Sequence, residues 1–251
     1  MRKQLALIAT AAVALLGAAS SAQAYIVLTI TDTGTGTQKL CDLTGWTIAS
    51  GANYCGAGFN VVNRDNVSFA GTVGNHTVAT TSGTGNAPGN PVFANLDTST
   101  TSVTRLNAGT GSLEIDIVGF DYTQPVGSIK TFSGSASLTS SPTLYNPSDT
   151  VMSRFWVDGA NGGNFVNGLS CMQSVSTNNS CNAGSLLWND GAPAQFSIRS
   201  RQTYTVAAFG VVNATSSAIV TKHIPEPATL SLVGLALLGA GFAGRRAAKK
   251  A

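Results

Sequence analysis

Charged residues and histidines are scarce in this sequence, and their scarcity narrows the chemistry open to it. Lys, Arg, Asp and Glu together make up 10% of the 251 residues, and there are two histidines. His76 and His223 belong to no motif, and both are predicted to be surface residues. No G-x-S-x-G, H-E-x-x-H or phosphate-loop pattern occurs, so no motif indicates a serine hydrolase, a zinc protease or a nucleotide-binding enzyme.

Helical periodicity is also missing between residues 25 and 223. Short apolar alternations separated by Gly, Asn, Ser and Thr occur there instead, a pattern typical of all-β proteins. Roughly a dozen short strands favour a single β-sandwich, jelly-roll-like in topology. A β-helix is the alternative, but it would require a regular repeat that this sequence lacks.

Two stretches, 25–31 and 112–118, carry the clearest strand pattern. Because side chains alternate between the two faces of a strand, every second residue is predicted to face the core. These core residues are Ile26, Leu28, Ile30, Leu113, Ile115 and Ile117, whereas Glu114 and Asp116 are predicted to face solvent. The other predicted strands are 59–62, 67–69, 129–132, 135–138, 151–157, 185–188, 195–199, 203–212 and 217–221, and 80–91 and 158–163 are predicted loops.

The first 24 residues are predicted to be a secretory signal peptide with a signal helix. A basic start at 1–3 is followed by an apolar segment at 5–19 and by the small residues Ala22 and Ala24. This order predicts export through the secretion translocon and cleavage before Tyr25. An uncleaved membrane anchor is the alternative.

Residues 224–251 are predicted to be a sorting tail outside the folded domain. Pro225-Glu226-Pro227 forms a break that stops a helix from extending back into the domain. The uncharged run that follows predicts a short transmembrane helix at about 228–244, although a comfortable span takes about 20 apolar residues. A plain tail anchor and a buried core helix are the alternatives. The residues predicted to stop transfer and mark the cytoplasmic side are Arg245, Arg246, Lys249 and Lys250.

This order of parts resembles the PEP-CTERM tail of bacterial exported proteins, which is sometimes labelled an ice-binding protein C-terminal domain. The resemblance covers about the last tenth of the chain, and no feature of the tail would itself bind ice. It implies that a membrane protease, exosortase, recognises Pro225, Glu226 and Pro227 and cleaves nearby. It also implies transient membrane insertion, a precursor tethered to the inner membrane, and delivery to the cell surface or extracellular matrix.

Residues 25–223 remain as the predicted β-sandwich passenger domain. The whole chain has a formal net charge of +3, but the passenger holds eight basic and ten acidic residues and is therefore near −2. The apparent basicity belongs to the two terminal segments. Nucleic-acid binding requires a basic patch on the folded surface, so no nucleic-acid partner is predicted.

The four cysteines all lie in the passenger and fall into two local pairs. Cys41 and Cys55 flank one Gly/Asn-rich stretch, and Cys171 and Cys181 flank another. An even number of cysteines in an exported chain favours disulfides, and the local pairing is preferred among the three possible ones. Zinc is the alternative, but the C-x-x-C spacing typical of zinc sites is absent, so no metal is predicted.

Glu114 and Asp116 form the candidate for catalysis. Glu114-Ile115-Asp116 resembles the beginning of the E-x-D-x-x-E motif of laminarinase-type glycosidases, which are also jelly rolls. In that family the last Glu is the acid/base, and here Gly119 stands in its place. A retaining glycosidase needs two opposed carboxyl groups, so these residues are predicted to lie on a solvated strand face.

Two further patterns have simpler structural interpretations. Alternating threonines over 29–37 would line one face of a long strand and match an ice lattice, but Gly34 and Gly36 favour a strand that enters a loop. Side-chain oxygen atoms in the 158–163 loop and in the residue that follows it could ligate Ca²⁺. This stretch has few acidic residues, so a turn without a metal is favoured. The candidate ligands are Asp158, Asn161 and Asn164.

Three tryptophans, Trp46, Trp156 and Trp188, would form a sugar-stacking platform if exposed and part of the core if buried. The favoured hypothesis is a non-enzymatic surface or extracellular-matrix protein that contacts polysaccharide and uses no cofactor. The alternative is a secreted glycan-active enzyme that uses Glu114 and Asp116. A passive structural protein without a ligand is a third hypothesis.

Overall fold

The computed structural model describes residues 25–140, 148–163, 165, 167–174, 180–189 and 195–223. The predicted signal helix, the sorting tail with its transmembrane helix, and Asn164 lie outside these residues. Within the described ranges, no helix has the length and apolar character needed to cross a membrane.

Thirteen strands occur in the described residues, and all of their pairings are antiparallel. A single turn of 3-10 helix, Ile48–Ser50, separates the second strand from the third. The strands are β1 (Tyr25–Asp32), β2 (Gln38–Asp42), β3 (Phe59–Asn63), β4 (Asn66–Val73), β5 (His76–Gly85), β6 (Phe93–Arg105), β7 (Gly111–Tyr122), β8 (Ile129–Ser140), β9 (Thr150–Asp158), β10 (Asn167–Ser174), β11 (Ser180–Asn189), β12 (Phe196–Val206) and β13 (Val211–Lys222).

These strands form two sheets that enclose one hydrophobic core. The six-stranded sheet has the order β10-β9-β12-β7-β1-β2, and the seven-stranded sheet has the order β11-β8-β13-β6-β5-β4-β3. After β6 the chain changes sheet at almost every connection, as in a jelly roll. The predicted all-β, jelly-roll-like sandwich is therefore confirmed.

β1 and β7 lie side by side in the six-stranded sheet and show why the alternating pattern predicts the fold well. Leu28 pairs with Ile117, and Ile30 pairs with Ile115. The six predicted core residues of these strands are all fully buried. Burying such side chains stabilises the fold by about 1.5–3 kcal/mol each, so the register of these two strands is strongly determined.

Two disulfides close the lateral edges of the sandwich. Cys171 of β10 is bonded to Cys181 of β11, so this disulfide joins the edge strands of the two sheets on one side. Cys41 of β2 is bonded to Cys55, just before β3, on the other side. The predicted local pairing is confirmed, and both edges are covalently tied.

The prediction of a loop at 80–91 is wrong for its first half, which belongs to β5. Gly83 lies directly beneath the other sheet, where a Cβ atom would sit 2.7 Å from Ile117 Cδ1. Thr81 is buried beside it. Glycine occurs here because the two sheets approach closely, whereas the sequence pattern alone suggests a loop.

Besides β5, three strands were not predicted, and two others were divided wrongly. β2 and β10 are edge strands with few apolar residues, and β6 buries Thr98 and Thr100, which hides its alternation. The predicted strands at 129–132 and 135–138 are one strand, β8. The predicted strand at 203–212 is interrupted by a turn, in which Ala207 N donates to Asp149 Oδ1 at 2.8 Å.

Candidate functional site

The outer face of the six-stranded sheet carries four charged side chains that pair with one another. Arg201 Nη1 lies 3.1 Å from Glu114 Oε1, and its Nη2 lies 2.9 Å from Asp116 Oδ2. Arg199 Nε donates to Asp116 Oδ1 at 2.8 Å, and Arg199 Nη2 donates to Oδ2 of the same carboxylate. Hydrogen bonding to Asp116 raises the pKa of Arg199, so this guanidinium group stays charged.

Strand register explains why Glu114 and Asp116 are paired with arginine. Asp116 lies directly opposite Arg201 of β12, and on the other side it lies opposite Thr29 of β1. The prediction of a freely solvated face is therefore corrected, because both carboxylates are only partly exposed and bonded to guanidinium groups. They lie on one face of one strand and share Arg201, whereas glycoside hydrolysis needs carboxyl groups opposed across a substrate.

The three tryptophans do not form a common platform. Trp188 is buried in the core, where its ring packs edge-on against Phe196 with centroids 5.3 Å apart. Trp46 and Trp156 are half-buried, but they lie near opposite edges of the six-stranded sheet, about 19 Å apart across the strands. A joint sugar-stacking site of these residues is therefore excluded.

Trp156 is instead part of the charged network on its sheet. The Arg199 guanidinium carbon lies 5.2 Å from the centroid of the Trp156 ring and 5.3 Å from that of Phe165. On the neighbouring strand, a Cβ atom at Gly168 would sit 2.5 Å from Trp156 Nε1, so the indole lies across that glycine. The Trp156 ring and the Arg199 guanidinium group therefore form a cation–π contact on this face.

His76 lies in the core region and not on the surface, so the prediction for this residue is wrong. Its side chain and that of Asp32 are both fully buried, and His76 Nδ1 lies 3.0 Å from Asp32 Oδ2. Asp32 also accepts hydrogen bonds from the backbone N–H groups of Gly34, Thr35 and Asn75. Burial alone would raise the pKa of Asp32, but these hydrogen bonds together outweigh it and lower the pKa. This cluster ties the end of β1 to the β4–β5 turn.

The candidate calcium loop is a closed turn. Asp158 accepts hydrogen bonds from the backbone N–H groups of Ala160 and Gly162, both at 2.9 Å. Asn161 exchanges hydrogen bonds with Asp121. In the part of the chain that the structure describes, no cluster of three or more His, Cys, Asp or Glu side chains could hold a metal ion.

The threonine pattern at 29–37 is a strand that enters a loop, as predicted. β1 ends at Asp32. Gly36 has a φ of 69°, a left-handed conformation that glycine adopts without strain. The threonines therefore do not form one extended row.

The outer face of the seven-stranded sheet carries rows of hydroxyl groups that cross most of its strands. In the first row each side chain is directly paired with the next across neighbouring strands. The second row lies two residues away on each strand, and its side chains are also directly paired across neighbouring strands. The first row is Ser68, Ser82, Ser99, Thr215, Ser137 and Ser180, and the second is Thr84, Asp97, Ser217, Ser135 and Asn182. Neighbouring members of one row are about 4.8 Å apart, and the rows are about 7 Å apart.

The middle of these rows forms an open depression of about 350 Å³. Nine of its eleven lining residues are Ser or Thr, and the others are Asp97 and Ala136. We call this depression the hydroxyl trough and define it by Ser82, Asp97, Ser99, Ser135, Thr215 and Ser217. Among its side chains, Ser137 and Thr215 share a hydrogen bond of 2.6 Å, and Asn95 Nδ2 donates to Asp97.

A chain of buried polar groups fastens the two sheets together near the trough. Thr81 and Thr100 share a hydrogen bond of 2.8 Å, and Thr100 donates to Gln202 Oε1 at 3.4 Å. Tyr204 also donates to Gln202 Oε1, at 2.8 Å. Burial raises the pKa of Tyr204, so its hydroxyl remains a neutral donor. These bonds join β12 to β5 and β6 and stiffen the floor of the trough.

The sequence interpretation missed the hydroxyl trough, although part of its signal is visible. Over 133–138, Ser133, Ser135 and Ser137 alternate with Gly134, Ala136 and Leu138. This alternation places hydroxyls on the outer face of β8. The rows themselves depend on pairings between strands that are far apart in sequence, such as Ser99 with Thr215.

The described residues thus define a disulfide-linked β-sandwich with one charged outer face and one hydroxyl-bearing outer face. Residues 223–247 match the family model of the PEP-CTERM protein-sorting motif. The chain therefore carries a PEP-CTERM sorting motif over these residues, as the sequence predicted. The motif implies export and a membrane-anchored precursor that exosortase processes.

The chain was also compared with curated proteins and with solved structures. No curated protein matches the chain. One solved structure, described as a carbohydrate-binding module of the β-sandwich superfamily, is 14% identical, with a TM-score of 0.27 over 78% of this chain and 71% of its own. The family 11 carbohydrate-binding module from Clostridium thermocellum is 10% identical, with a TM-score of 0.26 over 66% of this chain and 93% of its own.

Proposed function

We propose that the passenger is a non-enzymatic polysaccharide-binding domain and that the hydroxyl trough is its binding surface. The observation that carries the proposal is the composition of the trough, in which nine of eleven lining residues bear a hydroxyl. Its volume lies in the range of ligand sites, about 300–1,000 Å³. The trough is open along the surface, so a long chain can lie in it without having to enter by an end.

The chemistry of the trough suits a neutral sugar polymer. A Ser or Thr hydroxyl both donates and accepts hydrogen bonds, as sugar hydroxyls do. Asp97 adds one carboxylate, which accepts hydrogen bonds only and can bind two neighbouring sugar hydroxyls. The distance of about 4.8 Å between neighbouring members of one row repeats across the sheet, so successive sugar units can meet equivalent partners.

The same composition predicts weak binding without hydrolysis. None of the eleven lining residues is aromatic, so stacking on apolar sugar faces contributes nothing there. Hydrogen bonds that replace bonds to water contribute about 0.5–1.5 kcal/mol each. Asp97 is the only carboxylate among the lining residues, and glycoside hydrolysis generally uses two.

Delivery follows from the two terminal segments. We propose that the signal peptide is removed before Tyr25, that residues 25–223 fold outside the inner membrane, and that the tail is then processed. Export through the translocon and a final place at the cell surface or in the extracellular matrix follow from the same arrangement. Deletion of residues 225–251 should change the location of the passenger without unfolding it, which fractionation of cells checks.

Affinity electrophoresis tests the binding proposal. The full chain in mild detergent is run through gels that contain neutral β-glucan, xylan or mannan. The wild type should be retarded by at least one of them, and the S99L/S217L variant should bind at least tenfold more weakly because leucine fills the trough and offers no hydrogen bonds. T29L/T203L, the same change on the six-stranded sheet, should be retarded like the wild type.

Two outcomes would contradict the proposal. Equal retardation of both leucine variants would mean that binding occurs elsewhere on the molecule. No retardation of the wild type in any gel would favour the passive structural hypothesis. Circular dichroism of each variant checks that the sheets remain folded.

A further inference from the structure

We propose that the end of the sandwich from which the tail leaves rests on the membrane surface while the precursor is anchored. This inference goes beyond polysaccharide binding and concerns a different part of the molecule. Five exposed apolar side chains surround the exit of the chain at His223. We call them the apolar collar, and they are Val92, Phe93, Val126, Ile129 and Leu187.

Strand pairing places the collar around the exit. The last backbone bonds of the passenger run from Lys222 N to Val92 O, at 3.2 Å, and from His223 N to Ile129 O, at 3.3 Å. Thr221 of β13 pairs with Phe93 on one side. On its other side it pairs with Thr131, which in turn pairs with Leu187.

The collar is exposed to an unusual degree for apolar residues of one small region. Val92 is 66% exposed, Val126 58% and Leu187 65%. Large apolar side chains that are exposed near one another typically mark an interaction site. Lys222 is also exposed at this end and supplies a positive charge suited to anionic lipid headgroups.

The two loops that carry part of the collar are held together by hydrogen bonds. Thr123 N and Gln124 N both donate to Pro88 O at 3.0 Å. Asn90 Oδ1 accepts hydrogen bonds from the backbone N–H groups of Val92 and Phe93. The collar is therefore a preformed surface, and little conformational entropy is lost when it is covered.

The length of the connection to the tail identifies the membrane as the occupant. The uncharged run begins at Ala228, five residues beyond His223. Five extended residues span at most about 17 Å, and the interfacial layer of a bilayer is about 5–7 Å thick on each side. Once the run enters the hydrocarbon core, the collar is within about 10 Å of the headgroups. No other partner is held so close by the chain itself.

Brominated-lipid quenching tests this inference on the full chain. V126W and V92W are reconstituted in vesicles of phosphatidylethanolamine and phosphatidylglycerol that contain lipid brominated near the headgroups. The matched control is F209W, because Phe209 is 68% exposed and precedes β13 at its other end, roughly 35–40 Å away. Emission above the wild-type background should be quenched at least twofold more in V126W and V92W than in F209W.

Three results would overturn the inference. Equal quenching in the collar variants and in F209W would place the collar away from the bilayer. A blue-shifted but unquenched collar tryptophan would mean that the tail or a second copy covers the collar. Failure of the full chain to float with the vesicles would remove the anchoring on which the inference rests. Each result is independent of whether the hydroxyl trough binds polysaccharide.

Discussion

The outer faces of the two sheets cover the same core but expose different chemistry. On the six-stranded sheet, Arg199 and Arg201 are bonded to Glu114 and Asp116, and Trp156 lies against the guanidinium groups. On the seven-stranded sheet, hydroxyls stand in rows around a depression with a single carboxylate, Asp97. The four paired charges use much of their hydrogen-bonding capacity within the network, although Arg154, directly opposite Arg201, is exposed on the same face. The solvated hydroxyls of the other face can exchange water for a ligand. From this comparison we expect the ion pairs of one face to contribute to stability and the hydroxyls of the other face to contribute to the proposed binding.

The largest effect is expected where the two faces are joined. C171S/C181S removes the disulfide between edge strands β10 and β11 and should lower the free energy of unfolding by about 3 kcal/mol, as expected for closing a short loop. Urea denaturation measures this. C41S/C55S at the opposite edge should cost a similar amount, and a loss below about 1 kcal/mol in both would show that the edges are held by strand pairing alone.

Removal of Asp116 should lower the stability of the fold without changing polysaccharide binding, and so distinguish the roles of the two faces. D116A leaves Arg199 and Arg201 partly buried without their main partner, so the free energy of unfolding should fall by about 2 kcal/mol. Polysaccharide binding should be unchanged. E114A is the matched control, with an expected loss below about 1 kcal/mol because Arg201 keeps its bond to Asp116. Lower binding in D116A would contradict the separation.

The pH dependence of stability should come in part from the β3–β4 turn at the edge of the seven-stranded sheet. Burial raises the pKa of Asp65 to about 6, against the opposing effect of Arg64. The unfolded value is about 3.9, so the folded state binds more protons between these values and stability falls as the pH rises from about 4 to 6. After allowance for solvent screening the loss is about 1 kcal/mol.

D65N provides the control for this effect. Asparagine cannot ionise, so thermal melts of the variant between pH 4 and pH 7 should lack this contribution to the slope. The variant should also be more stable than the wild type at pH 7. An unchanged slope in D65N would show that Asp65 does not titrate in this range.

The smallest effect is expected from single hydroxyls of the trough. S99A removes one exposed donor and acceptor and should weaken polysaccharide binding about two- to fivefold, in line with about 0.5–1 kcal/mol for one hydrogen bond. Its stability should stay within about 0.5 kcal/mol of the wild type. T29A on the other sheet should change neither quantity. A loss of binding in T29A equal to that in S99A would contradict the proposal that only the seven-stranded sheet binds.

Sequence reasoning succeeded where a physical signal is local. The buried alternation of β1 and β7 needs only neighbouring residues, and the disulfide partners are 14 and 10 residues apart. It failed at His76, which is buried in contact with Asp32, a hydrogen-bonding partner 44 positions away in the sequence. It failed at β5 as well, where glycine reflects close packing of the sheets and not a loop.

The sequence by itself determined how this protein is handled and what class of fold it adopts. The sorting motif occupies one short run of residues, and a period of two depends only on the geometry of a strand. The tertiary structure alone decided which polar side chains share a face and which of them are paired. Ser99 and Thr215 are 116 positions apart and become neighbours because β6 pairs with β13, and Asp116 meets Arg201 because β7 pairs with β12. Strand order is set by burial summed over the whole core, so no local pattern could have indicated that the charges would be paired and the hydroxyls aligned.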